Sequence, residues 1–230
     1  MGEKDTMIGK NVQAILAELP DQVVLVAAAK GKTPGDIVKA IEGGVTVIGE
    51  NYCREAKRVH QVVGDHVRWH YIGIPGREKH DLLRKSTLEI FDMIETVDSM
   101  EIASGIDGTC EKIGKVMPIL IEINTGKETQ KSGVAPEDAE ALIRKASVLP
   151  RVRIMGLMTM GPRFGNPEDS RPYFRNAKKL FDLIAKMKIL NVEMRYLSMG
   201  MTNSYHVALE EGANMVRIGT KLFGEACVRE

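Results

Sequence analysis

Val23-Val24-Leu25-Val26-Ala27-Ala28-Ala29-Lys30 is an unbroken apolar run closed by a single ammonium. A run that is apolar at odd and even positions alike reads as a strand buried on both faces, the pattern of a parallel sheet. Parallel neighbours need crossover connections, so helices should flank it. Working outward, similar runs cover Val45–Gly49, Val67–Gly73, Met93–Val97, Met117–Asn124, Val152–Met160, Met194–Met199 and Met215–Gly219, which with Val23–Ala29 makes eight. Amphipathic stretches alternate with them: Pro34–Glu42, Tyr52–Val63, Lys79–Ser86, Ser99–Ile113, Pro136–Ser147, Ser170–Met187 and Asn203–Glu211. Thr33 is an N-cap followed by proline at the first helical position, and the segment from Pro136 opens in the same way. Eight such alternations close most simply into a single α/β barrel of the (β/α)8 TIM type. An open doubly wound sheet is the rival. No GxGxxG follows the first strand, which counts against the dinucleotide-binding form of that rival.

The chain of 230 residues suits one such barrel, so residues 1–230 are expected to form one domain. Lys and Arg number 32 against 31 Asp and Glu, a net charge of +1 that gives no electrostatic case for nucleic acid or an anionic membrane as partner. Cys53, Cys110 and Cys227 are odd in number and lack a CxxC pair, which fits a reducing, cytoplasmic setting. Met1–Asp5 carries no apolar leader core, and no stretch approaches the length of a membrane span. Ile8–Leu19 is expected to plug or flank the barrel bottom. The loop Gly161–Glu168, with two glycines and two prolines, is expected to be irregular and to cover the ligand face.

Ligands of parallel α/β folds sit at the carboxyl ends of the strands, where Lys30 lies. An amine there, partly desolvated and near a second cation such as Lys32, is a candidate for Schiff-base chemistry. Strands seven and eight end in Ser198-Met199-Gly200-Met201-Thr202 and Ile218-Gly219-Thr220. In a barrel these turns are neighbours and form the recurring phosphate site, with glycine letting backbone N–H groups approach the anion and Ser198 and Thr220 adding hydroxyls. Arg217 shares a strand face with Gly219 and points into the upper barrel. A phosphorylated pyridine aldehyde would satisfy all three features, meeting Lys30 at its carbonyl carbon, the turns at its phosphate and Arg217 at its ring nitrogen. His70 ends strand three as a possible ligand contact, Lys131 is a secondary amine candidate, and Met158 and Met160 could pack on a ring. His60, His66, His70, His80 and His206 show no metal-ligand spacing, so no metal is expected.

The motifs Val26–Lys30, Gly49-Glu50-Asn51-Tyr52, Trp69-His70-Tyr71-Ile72-Gly73, Ile123-Asn124 with Lys131-Ser132-Gly133, Gly156-Leu157-Met158-Thr159, Ser198-Met199-Gly200-Met201 and Met215–Thr220 occur in order along the chain. In them the chain resembles the pyridoxal phosphate homeostasis proteins, the YggS/PROSC-type family, whose barrel is similar to the amino-terminal domain of bacterial alanine racemase. The resemblance implies pyridoxal 5'-phosphate as cofactor, Lys30 as the internal-aldimine lysine and Asn51 at the cofactor site. It further implies Ser198, Gly200, Gly219 and Thr220 around the phosphate, and Arg217 at the pyridine nitrogen. The loops Lys30-Gly31-Lys32-Thr33-Pro34 and Ile74–Lys79 depart from the family pattern. A racemase of this barrel type takes a second base from a carboxyl-terminal β-domain, and this chain stops at Glu230, shortly past strand eight. The expected function is therefore to hold pyridoxal phosphate and buffer or deliver it, with apo enzymes dependent on it as recipients and no catalytic residue of its own. The expected state is a cytoplasmic monomer. The alternatives are a low-activity amino-acid racemase and a Schiff-base aldolase for a phosphorylated sugar.

Overall fold

The computed structural model describes residues 3–126, 132–161 and 165–224. Its strands are β1 (Val24–Ala28), β2 (Val47–Glu50), β3 (Arg68–Tyr71), β4 (Met93–Val97), β5 (Met117–Ile123), β6 (Val152–Thr159), β7 (Val192–Ser198) and β8 (Met215–Ile218). Each pairs in parallel with the next, and β8 returns to pair with β1, so the sheet is a closed barrel and the open-sheet rival falls. Around it run α1 (Glu3–Glu18), α2 (Pro34–Glu42), α3 (Cys53–Val63), α4 (Pro75–Leu82), α5 (Lys85–Leu88), α6 (Met100–Ile113), α7 (Ala139–Ala146), α8 (Arg171–Lys186), α9 (Tyr205–Glu210) and α10 (Thr220–Phe223).

Period two along each strand makes two cores. Val26, Val47, Met93, Leu120, Met155, Met158 and Met215 fill the barrel interior. Ile48, Trp69, Ile94, Ile121, Leu157 and Ile218 face outward and pack under helix residues such as Ile37, Val59, Ile106 and Phe174. The runs are apolar at odd and even positions alike because both faces are covered.

The carboxyl end of β1 is held by its sequence neighbours. Thr33 Oγ1 accepts from the Asp36 amide at 3.2 Å and Asp36 Oδ2 accepts from the Thr33 amide at 3.0 Å, a capping box with Pro34 behind it that starts α2 at a fixed point.

Four expectations change in detail. The Lys79–Ser86 helix is two helices, because Pro75 opens α4 earlier and Arg84 takes an extended backbone before α5. The helix after Pro136 begins only at Ala139: Val134 is still paired beside β5, its amide donating to the Glu122 carbonyl at 2.9 Å, so the chain must turn before it can coil. The amino-terminal helix does not plug the bottom; it lies along α2 and α10, with Asn11 Nδ2 donating to the Leu222 carbonyl at 3.1 Å. Pro167 lies inside the supposed irregular loop yet starts a 3-10 turn through Ser170, capped by Asn166; residues 162–164 of that loop, with Lys131 and Cys227, lie outside the described residues. Among the described residues no helix is long and apolar enough to cross a membrane.

Candidate functional site

Lys30 lies two residues past the end of β1 and is exposed, its ammonium 5.4 Å from the centroid of the Tyr52 ring. The expected desolvation is absent. Gly31 takes φ 69°, a left-handed turn that favours glycine, and its amide donates to Glu55 Oε2 at 2.8 Å. Arg58 donates to the Lys32 carbonyl at 3.4 Å, so α3 clamps the lysine loop from one side. Lys32 turns toward α10, with its ammonium 3.1 Å from the Gly224 carbonyl. Asn51, half-buried at the end of β2, donates to the Ile72 carbonyl at 3.3 Å and ties β2 to β3.

Register brings the other groups to the same region. Val26 of β1 pairs with Arg217 of β8, and the Arg217 amide donates to the Gly200 carbonyl at 3.0 Å, so the turns after β7 and β8 lie side by side next to Lys30. Gly200 has φ 93°, and a Cβ there would stand 2.6 Å from the Ala208 Cβ, so no larger residue fits the turn. Gly219 caps α10, and Thr220 is exposed as its first residue.

Inside the barrel Arg217 is 5% exposed. Its Nη1 donates to Ser198 Oγ at 2.6 Å and its Nη2 to the Thr159 carbonyl at 2.9 Å. Ser198 Oγ donates to Glu95 Oε2 at 2.7 Å, and Glu95 Oε1 lies 2.6 Å from His70 Nδ1. Burial opposes the charge of Glu95, but hydrogen bonds from His70 and Ser198 and the Arg217 charge hold its carboxyl below the usual range. The Ser198 proton therefore goes to Glu95, which departs from the expectation of a hydroxyl free for phosphate. His70 is buried against the same carboxylate. Met158 is buried in the barrel and Met160 exposed beyond it.

Sequence reasoning missed Glu95, Glu122 and Glu50. Glu122 on β5 shares the interior face of Leu120; Ser132 donates to its Oε1 at 2.9 Å while its buried Oε2 has no partner among the described residues. Burial pushes its carboxyl up to about 7, Asp98 adds to the effect, and the Ser132 hydroxyl and Arg217 oppose it. Glu50 faces outward beneath α3, fully buried, and among the described residues neither carboxylate oxygen makes a well-formed hydrogen bond. Burial and the Glu55 charge push it up to about 8 against the pull of Arg58 and the Asn51 amide. The signal for all three was a carboxylate inside an apolar run, where no solvated face exists for it.

Glu50 carries a stability prediction. Its folded pKa lies above its ordinary value of 4.5, so from there to about 8 the folded state keeps a proton that the unfolded chain has lost, and stability falls as pH rises through that window. The loss amounts to at most roughly 5 kcal/mol. Glu50→Gln should unfold in urea at nearly the parent midpoint at pH 5 and at a clearly higher one at pH 9. Parallel midpoint curves for the two proteins would remove this account of Glu50.

At the opposite end of the barrel a groove of about 470 Å³ is lined by Val116, Pro150, Val152, Arg153, Asn191, Val192 and Glu193. Its only charged pair, Arg153 and Glu193, is mutually satisfied at 3.0 Å, so it offers no reactive group.

A closed parallel barrel with a strand-end lysine, a buried interior arginine and paired glycine turns defines a class, and the comparisons agree with it. The family described as "Alanine racemase, N-terminal domain" matches residues 6–227. A pyridoxal phosphate homeostasis protein of Aquifex aeolicus is 38% identical over 202 residues, covering 87% of this chain and 86% of its own. That of Escherichia coli K12 is 31% identical over 212 residues, covering 89% and 86%. The solved structure of PipY from Synechococcus elongatus with PLP bound superposes with a TM-score of 0.83 at 27% identity, covering 94% of this chain and all of PipY. Alanine racemase from Corynebacterium glutamicum, at 15% identity and TM-score 0.75, shares the fold over 97% of this chain and 62% of its own. This chain belongs to the pyridoxal phosphate homeostasis protein family, within the alanine racemase N-terminal-domain barrels.

Proposed function

We propose that this chain binds pyridoxal 5'-phosphate reversibly and buffers or delivers it to apo enzymes that depend on it, as a cytoplasmic monomer folded as one domain. The observation that carries this reading is the convergence, on the adjacent strands β7, β8 and β1, of an amine, a buried guanidinium and two glycine turns. When bound, pyridoxal phosphate supplies an aldehyde carbon that a lysine amine attacks, with loss of water, to give a reversible carbon–nitrogen double bond. The residues fit such a ligand. Lys30 is accessible, Gly200 and Gly219 place no side chain over the turns after β7 and β8, and two of the five guanidinium N–H groups of Arg217 have acceptors among the described residues.

In this reading Lys30 takes the aldehyde carbon, Gly200, Gly219 and Thr220 take the phosphate, Asn51 borders the site, and Arg217 directs its remaining N–H groups at the ring nitrogen. Ser198 contributes through Arg217. The buried free thiols Cys53 and Cys110 support a reducing compartment. Visible absorption and equilibrium dialysis of the purified chain with pyridoxal phosphate test the binding, and transfer to a purified apo enzyme tests delivery. A chain that neither retains the ligand nor changes its spectrum would sink the reading. Amino-acid α-proton exchange in deuterium oxide is expected to be slow, because a fixed cation at the ring nitrogen keeps that nitrogen unprotonated and weakens the electron sink. Thr220→Val removes one hydroxyl from the phosphate while the backbone donors stay, so affinity should fall by about 1–2 kcal/mol. Dialysis giving equal affinities would move the phosphate away from Thr220.

A further inference from the structure

We infer that Glu95 is a positioning residue that aims Arg217 at the ligand, an inference that rests on the binding reading above. The direction of every proton in its network is forced. A guanidinium only donates, so Ser198 Oγ accepts from Arg217 Nη1 at 2.6 Å. The single hydroxyl proton of Ser198 then has one acceptor left, Glu95 Oε2 at 2.7 Å. An ionised carboxylate only accepts, so His70 carries its proton on Nδ1 and donates to Glu95 Oε1 at 2.6 Å. Glu95 is the common terminus of both chains. It also lies 4.0 Å from Arg217 Nη1, close enough to balance that buried charge.

The network fixes the guanidinium from one side. Nη1 is held by Ser198 and Nη2 by the Thr159 carbonyl, while Nε and the second protons of Nη1 and Nη2 have no acceptor among the described residues. Glu122, which also faces the barrel interior, keeps Oε2 without a partner among the described residues and makes no hydrogen bond to those N–H groups. A ring nitrogen with a lone pair is the kind of acceptor this arrangement lacks. Glutamine at position 95 cannot reproduce it: it carries no charge to balance Arg217, and its one carbonyl oxygen can accept from His70 or from Ser198 while its amide donates toward the other, which either leaves the Ser198 proton without its acceptor or forces His70 into the other tautomer.

The test compares two ligands on two proteins. Pyridoxal 5'-phosphate and its deaza analogue, in which C–H replaces the ring nitrogen, are titrated against the parent chain and Glu95→Gln by equilibrium dialysis and visible absorption. We expect Glu95→Gln to weaken pyridoxal phosphate about tenfold, since the lost contact is charge-assisted. The deaza analogue, which has no acceptor for Arg217, should bind both proteins within about twofold of each other. An equal loss for both ligands would reduce Glu95 to a structural support, and no loss for either would remove it from the site; both overturn the inference. If Glu95→Gln does not fold, Ser198→Ala breaks the same chain at its middle and is read by the same comparison. A Ser198 hydroxyl that instead held the phosphate would weaken both ligands alike in that variant. Failure of the parent chain to bind pyridoxal phosphate overturns the binding reading itself and is distinguishable from all of these.

Discussion

Replacing Lys30 with alanine abolishes the covalent pyridoxal adduct trapped by borohydride while the chain stays folded. The loss should be complete, because no backbone donor can replace the amine that forms the bond. Stability should hold because Lys30 is exposed and its visible contact is the ammonium 5.4 Å from the Tyr52 ring centroid, a cation–π interaction worth about 0.5–1 kcal/mol at such a site. The backbone of the loop does not depend on the side chain: Gly31 is held by Glu55, Lys32 by Arg58, and Thr33 by its capping box. Borohydride reduction of the parent chain followed by peptide mapping decides the point, and an adduct on another lysine would falsify the assignment. The exposure of Lys30 also bears on delivery. An amine reached by solvent can be reached by water or by an incoming amine, so under the proposed function a bond formed there would reverse without opening the barrel, which a cofactor reservoir requires and a deeply buried site would hinder.

How much of this was legible follows from what period and punctuation encode. Strand positions were readable to within a residue or two because parallel strands covered on both faces have no alternation to lose; β4 runs Met93–Val97 as expected. Helix α2 was readable to its ends because Thr33, Pro34 and Asp36 mark its start by side-chain chemistry. The break at Arg84 was not, since nothing in Leu82–Lys85 marks an extended residue. Lys30, Gly200, Arg217 and Gly219 could be picked out because each stands at a strand end or on a definable strand face. Glu95 and Glu122 also stood on definable faces. What the sequence could not supply was the partner: Glu95 and Ser198 are far apart along the chain and meet only when the barrel closes. For the same reason the sequence could not show that the Ser198 hydroxyl, expected near a phosphate, donates to Glu95 once the barrel closes.

Arg217→Met tests that closed network by removing its cation. The methionine keeps an unbranched apolar stem but not the guanidinium, and leaves Glu95 ionised at 0% exposure with no cation 4.0 Å away. Stripping one partner from a buried pair costs on the order of 3–5 kcal/mol, more than the pair contributes as a whole, because the remaining charge is uncompensated. Urea unfolding at neutral pH should show that loss, and adding Glu95→Gln to the same chain should recover more than half of it by removing the stranded charge. The pH dependence should reverse as well. In the parent chain Glu95 has a depressed folded pKa, so its contribution is complete above the unfolded value and is lost as pH falls through the folded one. In Arg217→Met burial prevails and the folded pKa rises above the unfolded value, with His70 and Ser198 the remaining proton donors and Glu122 shifted further in the same direction. The deficit relative to the parent should then shrink from pH 7.5 toward pH 5 as the folded state takes up the proton. A deficit that holds constant or deepens across that range would mean that Arg217 stabilises the barrel by packing rather than by its charge, and that Glu95 does not depend on it.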